Sequence, residues 1–258
     1  MLKNRVIPCL LLRNLGLVKT IKFSKPKYVG DPINAVKIFN DKEVDELIFL
    51  DITATAEKRT PSFELLSRIA SEAFMPFSYG GGIRTLEDAE KILRLGAEKI
   101  IINNYAYENP DFIKEASNAF GSQAVLVSID VKKTWRNKYE VFLKNGTVRT
   151  KENPVSYAIK MEEFGAGEIF LNSIDQDGVM DGYDTELINM VSENVGIPVI
   201  ASGGAGKNEH FVDAIKAGAS AVSAGSLFVF FGPHRAVLIN YPDQKTLSEI
   251  LPSEDCVF

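Results

Sequence analysis

The sequence predicts an α/β protein with a single (β/α)8 barrel, and three observations predict it. The chain repeats itself once, because Tyr79-Gly80-Gly81-Gly82-Ile83-Arg84 returns as Ala201-Ser202-Gly203-Gly204-Ala205-Gly206. Gly81 maps to Gly203, Gly96 to Gly218 and Asn103 to Gly225, each by a shift of 122. Eight short apolar runs alternate with helical patterns, and 258 residues without a Pro-, Ser- or Gly-rich linker suit one domain of barrel length, about 250 residues. On this reading the half-barrels are about 1–122 and 123–228, with a tail at 229–258. Two separate domains fit the length equally, but no linker divides them. A doubly wound open sheet lacks a GxGxxG after its first strand.

The eight runs lie near 5–12, 46–52, 76–79, 98–103, 123–130, 167–173, 198–202 and 220–225. Strands of a parallel sheet are covered on both faces, so they read as continuous apolar runs. Between them, Asp31-Pro32 predicts a helix start as N-cap and N1, Thr60-Pro61 another, and Asp184-Thr185-Glu186 a later one. The run Val6 to Leu12, preceded by Lys3 and Arg5, superficially resembles a signal peptide. It is too short, lacks a small-residue cleavage site and ends at Arg13, so it is expected to be a buried strand.

Two connections are unusually long. Residues 13–30 are basic and punctuated by Gly and Pro, which predicts a mobile loop over the face carrying the C-terminal strand ends. In the insertion at 131–153, Lys138–Leu143 and Thr147–Thr150 flank Asn145-Gly146, which predicts a hairpin on the same face.

A net charge of -5 and a pI near 5.3 do not suit nucleic-acid or anionic-membrane binding. Cys9 lies in an apolar run and Cys256 at the tail, so no disulfide framework is expected and a reducing cytoplasm is. His210 and His234 stand in no ligand-spaced cluster, and no metal or other cofactor is expected. His210 reads as a surface or helix-capping residue. Trp135, in the insertion, fits a hairpin anchor and a partner contact equally.

Each copy of the repeat places successive glycines between a strand and a helix. Backbone N–H groups can close around an oxyanion there, and the helix adds its positive end. Two phosphate cradles are one reading and tight turns alone the other, with the paired occurrence favouring phosphate. At the predicted strand ends stand Asp51, Asp130, Asp175 and Asp177, while Lys19 lies in the first long connection. A carboxylate in a dry barrel mouth can act as a base, although the plainer role for any one of them is to orient loop backbone. Asp130 differs in ending a buried strand, Leu126–Ile129. The repeat matches it to Leu11, which cannot move protons.

Several stretches are similar to the cyclase subunit of imidazole glycerol phosphate synthase, the HisF family. They are Asp45–Ala54, Gly121–Val125, Ser173-Ile174-Asp175-Gln176-Asp177-Gly178, Gly182–Glu186 and Ala201–Lys207. The resemblance runs from residue 1 to about 228 and is weak over the last 30 residues. It implies a barrel that takes ammonia from a partner glutaminase and uses it to cleave and cyclise a bis-phosphorylated, ribulose-linked precursor. By this resemblance the phosphate sites fall on Gly82, Asn103 and Asn104 in one half and on Asp177, Gly178, Gly204, Gly225 and Ser226 in the other. The paired catalytic aspartates fall on position 11 and Asp130, and the loop lysine on Lys19. Here the chain departs: where the family reads Cys-Leu-Asp-Val-Lys-Asp-Gly, it has Cys9-Leu10-Leu11-Leu12-Arg13-Asn14-Leu15. Arg5, Glu46, Lys99 and Glu168 begin four strands and resemble the family's charged ammonia gate, the plainer alternative being a salt-bridged plug.

Two functions follow as expectations. One is a cyclase subunit weakened at position 11. The other is a non-cyclising conduit that binds a glutaminase below and an amidotransferase above, like second-copy homologues in surface-polysaccharide (lipopolysaccharide O-antigen) pathways that serve conversion of acetamido to acetamidino sugars. Phosphosugar isomerisation without ammonia would leave the lower gate unexplained.

Overall fold

Eight parallel strands close on themselves in the computed structural model, which describes residues 4–251. Cys256 lies outside the described residues. In chain order the elements begin with β1 (Arg5–Arg13), β2 (Gly16–Ile21), β3 (Ser24–Gly30), α1 (Pro32–Asp41), β4 (Leu47–Asp51), α2 (Phe63–Glu72), β5 (Phe77–Gly80), α3 (Leu86–Arg94) and β6 (Lys99–Ile102). Next come α4 (Asn104–Glu108), α5 (Asp111–Phe120), β7 (Val125–Lys133), β8 (Tyr139–Leu143), β9 (Val148–Arg149), α6 (Pro154–Glu163), β10 (Glu168–Ser173) and α7 (Thr185–Ser192). The chain continues through β11 (Val199–Ser202), α8 (Glu209–Lys216), β12 (Ala221–Ala224), α9 (Ser226–Val229), β13 (Phe230–Phe231), β14 (Ala236–Val237) and α10 (Gln244–Ile250). The barrel order is β1-β4-β5-β6-β7-β10-β11-β12, and β12 pairs with β1 to complete the ring. Each of the eight apolar runs read from the sequence overlaps one of these strands, β1, β5 and β7 running past the expected ends.

Period-two alternation divides the strands between two cores. Val6, Leu10, Phe49, Ile100, Val127, Ile169 and Val222 point outward and pack beneath the helices. Ile7, Cys9, Ile48, Ile101, Leu126, Phe170, Ile200 and Ala221 point inward and fill the bore, with Leu11 and Leu50 packed on their upper side.

The helix caps follow the sequence in two places and depart in a third. Asp31 accepts from Ile33 N and Asn34 N at the start of α1, and Asp184 accepts from Leu187 N at the start of α7. Thr60-Pro61 does not open α2, which begins at Phe63 after Ser62. The carbonyl of Arg59 and the nitrogen of Pro61 instead run across Gly82, so close that a Cβ on Gly82 would lie 2.6 Å from Arg59 O.

The basic segment at 13–30 also needs correction. It is an ordered antiparallel hairpin, β2 and β3, that extends β1 over the barrel mouth. Phe23 N and the Thr20 hydroxyl donate to the Asp177 carboxylate, and Lys22 N donates to Asp177 O. These bonds tie the hairpin turn to the connection after β10. The second hairpin is present as expected, with β8 pairing both β7 and β9. Trp135 does not anchor it, being 83% exposed, with the Arg136 guanidinium over its ring.

The tail supplies α10, in which Leu247 is buried, and ahead of that helix the Tyr241 hydroxyl donates to Val6 O. Among the described residues no helix is long and apolar enough to cross a membrane.

Candidate functional site

Because the barrel strands are parallel, the same strands that end in the upper pocket begin at the lower mouth. Arg5, Glu46, Lys99 and Glu168 stand at the N-terminal starts of β1, β4, β6 and β10. Arg5 Nη1 lies 2.7 Å from Glu46 Oε2, and Arg5 Nη2 pairs with Glu168 Oε1. Lys99 Nζ lies 2.9 Å from Glu168 and 3.6 Å from Glu46. The Ser78 hydroxyl donates to the remaining Glu46 oxygen at 2.8 Å. Two cations and two buried anions thus form a closed ring, which compensates charges that would be costly to bury alone.

At the other end, one pocket is lined by residues from all eight barrel strands and from both hairpins. It contains every residue assigned above to phosphate: Gly82, Asn103 and Asn104 on one side, and Asp177, Gly178, Gly204, Gly225 and Ser226 on the other. Asp130, Lys19 and Leu11 line it too. Gly204 must be glycine, because its φ is +121° and a Cβ would lie 2.0 Å from Gly182 O.

Asp130 is the most perturbed carboxylate of the pocket. Burial pushes its pKa up to about 7, and nearby Asp177 adds to the rise, while the Asn103 and Asn172 amides oppose it. Asn103 Nδ2 donates to Asp130 Oδ2 at 3.1 Å and to Ser128 O at 3.0 Å. The Asn103 side chain is therefore committed to Asp130 and the Ser128 carbonyl. Asn104 is committed as well, its Oδ1 accepting from Lys144 N at 2.7 Å near the tip of the second hairpin.

Lys19 is buried, and its ammonium donates to Cys9 O beside Gly225. Burial lowers its pKa, against the pull of Cys9 and Asp177. Asp177 is itself raised by burial, although Thr20, Phe23 and Lys19 hold its charge. Leu11 is half-buried beside Leu50, so the wall of the pocket on β1 is apolar.

The remaining strand-end carboxylates have local duties. Asp51 accepts from Thr53 N and Ala54 N and pairs with Arg59, so it orients its own loop. Asp175 accepts from Lys133 N. His210 accepts from Gly206 N at 3.1 Å, fastening the turn before α8.

Several pocket residues had no place in the sequence reading. Ser128 and Asn172 face the bore at the tops of β7 and β10, and Thr20 and Phe23 arrive from the first hairpin. Counting in twos upward from Glu168 through Phe170 would have reached Asn172.

The chain was also compared with known proteins. The profile of a family described as "Histidine biosynthesis protein" matches residues 5–234. A Pseudomonas aeruginosa protein provisionally named imidazole glycerol phosphate synthase subunit hisF2 is 54% identical over 96% of this chain and 99% of its own. The imidazole glycerol phosphate synthase subunit HisF of Endomicrobium trichonymphae is 50% identical over 88% of each chain. That of a Hydrogenobaculum strain is 46% identical over 89% of this chain and 92% of its own.

Proposed function

Since the chain belongs to the histidine biosynthesis protein family, as a HisF-type member, we propose that it is the synthase-side subunit of a glutamine-dependent complex and receives ammonia through the barrel. The names of its relatives support the imidazole glycerol phosphate synthase type, and with it a glutaminase partner, which would seat on the N-terminal face. The observation that carries the reading is the inward-facing column: a charged ring at the bottom, an apolar bore above it and an anion-suited pocket holding Asp130 at the top.

The ring of Arg5, Glu46, Lys99 and Glu168 would gate entry of ammonia. Neutral ammonia would then pass Ile48, Ile101, Leu126 and Phe170, which offer it no proton donor and keep it unprotonated. In the pocket, the glycine turns at Gly81-Gly82 and Gly203-Gly204 present backbone N–H groups suited to the two phosphates of an extended substrate. Asp130, poised near neutrality, would exchange a proton with the bound precursor, and Lys19 would balance its negative charge. The protein needs no cofactor for these steps.

Leu11 sets the limit. A positioned proton-transfer group contributes roughly 10²–10⁴-fold in rate, or about 3–5 kcal/mol of barrier. A chain with leucine there would bind the precursor and cyclise it slowly. That residue favours a second reading, in which this copy conducts ammonia to an acceptor enzyme seated over the hairpins, an amidotransferase of sugar metabolism being the candidate.

Purified protein, ammonium salt and the bis-phosphorylated precursor decide between the two, with Leu11→Asp run beside the natural chain. Turnover by the natural chain at ordinary enzymatic rates would remove the conduit reading. No natural turnover, with recovery in Leu11→Asp, would mean a conserved cradle with its proton chemistry abandoned. Silence from both would mean a different acceptor.

A further inference from the structure

The two hairpins over the barrel mouth carry a charge that the net value of -5 conceals. Residues 13–30 hold five lysines and arginines and no carboxylate, and residues 131–153 hold seven against two. These segments therefore sum to +10 and the rest of the chain to -15. Six exposed cations, Lys22, Lys25, Lys27, Arg136, Lys138 and Lys144, form no ion pair among the described residues, whereas Lys133 and Arg149 are paired with Glu186 and Glu140.

Both hairpins cross the mouth. The first springs from β1, and its Lys22-Phe23 turn is held by Asp177 beyond β10. The second springs from β7, and its Asn145 amide donates to Ile52 O beyond β4 at 2.8 Å. Because β4 adjoins β1 and β10 adjoins β7 in the barrel, the two hairpins reach across in opposite directions. They meet over the pocket, where a Cβ on Gly146 would lie 3.5 Å from the Phe23 ring. A ligand entering the pocket must pass beside them.

We propose that the paired hairpins collect anions, drawing a multiply charged small ligand to the pocket mouth and favouring it over a singly charged one by its rate of arrival. Like charges around a cleft with low-dielectric walls reinforce one another, and association with the opposite ion gains roughly 10–10³-fold. A chain of net charge -5 without this segregation would repel such a ligand. None of the six cations lines the pocket, so they act on arrival rather than on retention. The ligand class, a bis-phosphorylated small molecule, rests on the cradle reading of the proposed function.

Trp135, the one tryptophan of the chain, is 83% exposed at the turn between β7 and β8 and reports the potential there. Its fluorescence is quenched with iodide and with neutral acrylamide, in the natural chain and in a Lys25→Glu/Lys27→Glu variant that alters the other hairpin. At about 0.01 M ionic strength, where fields reach about 30 Å, the variant should lose about half of the iodide quenching and none of the acrylamide quenching. At about 0.15 M, where they reach about 8 Å, the two proteins should agree. Phosphorus NMR exchange broadening of fructose 1,6-bisphosphate then measures arrival. The variant should slow association about tenfold at the lower ionic strength and leave dissociation unchanged, with a smaller effect on inorganic phosphate.

Equal iodide quenching of the two proteins at low ionic strength overturns the proposal, as does an unchanged association rate for the bound ester. If that unchanged rate comes with sedimentation of the natural chain on phosphatidylglycerol vesicles, the face belongs to an anionic surface instead. If fructose 1,6-bisphosphate does not bind at all, the cradle reading falls, and the quenching alone decides whether the hairpins collect anions.

Discussion

Asn103 Nδ2 donates to Asp130 Oδ2 across 3.1 Å, joining the end of β6 to the inward face of β7. Asn103 favours the charged carboxylate, whereas burial favours the protonated one. Replacing Asn103 with alanine should raise the Asp130 pKa further above about 7. Carboxyl-carbon NMR over pH 5–9 would read the change directly. An unmoved Asp130 titration would mean that this hydrogen bond is not maintained in solution.

The same carboxylate makes stability depend on pH. Its folded-state pKa is raised, so above the ordinary carboxylate range the folded chain keeps a proton that the unfolded chain has lost. The Asp130 contribution is therefore most favourable below about pH 4 and is lost as pH rises through about 7, for a total of a few kcal/mol. Asp130→Asn should remove this slope and melt higher than the natural chain at pH 8. Thermal unfolding of both proteins between pH 5 and pH 8 checks the sign.

At the lower mouth, Arg5→Ala would leave Glu46 and Glu168, both buried, with Lys99 as their remaining cation. The expected loss is about 3–5 kcal/mol, as for other broken buried pairs. Replacing Glu46 as well should recover part of it, because one uncompensated anion goes with it. Urea unfolding of the single and double variants measures the coupling.

Asp177→Ala cuts the acceptor shared by Thr20 and Phe23. Amide hydrogen exchange at Phe23 and its neighbours should speed up by at least tenfold, and trypsin should cut after Lys22 and Lys27 faster than in the unaltered chain. The rest of the barrel should exchange as before.

Glycine substitutions should separate space from backbone conformation. Gly30 and Gly204 both have positive φ, but a Cβ on Gly30 meets nothing within 4 Å, whereas one on Gly204 meets Gly182 O at 2.0 Å. Gly30→Ala should cost about 1 kcal/mol. Gly204→Ala should cost several times more and abolish binding of inorganic phosphate at that turn, as calorimetry of both variants would reveal.

The barrel strands were readable because both their faces are covered, which leaves unbroken apolar runs such as Leu47–Leu50 and Ile100–Ile102. The first hairpin was not. Its two-residue turn is Lys22-Phe23, both with positive φ, a conformation that ordinarily selects Asn and Gly. Nothing in Lys-Phe announces it. The second hairpin turns through Asn145 and Gly146, also with positive φ, and that pair is the expected signal. The burial of Lys19 and Thr20 was equally hidden, because it depends on where the hairpin lies over the mouth rather than on local pattern. Within the pocket, Asp130 and the glycine turns stood out as residue types. The commitment of the Asn103 amide to Asp130 and of the Asn104 amide to Lys144 N needed the register of strands distant in sequence.

The inward column also constrains how such a chain can change over generations. Leu126, Ser128 and Asp130 share a face only because two residues separate each from the next, as do Glu168, Phe170 and Asn172. A single inserted or deleted residue within β7 or β10 would turn the upper members of the set out beneath the helices and spoil the pocket and the bore together. Substitution, as at Leu11, alters one end and leaves the other intact. Length can vary safely only outside the strands, and the two long connections of this chain, which carry its hairpins, both lie there.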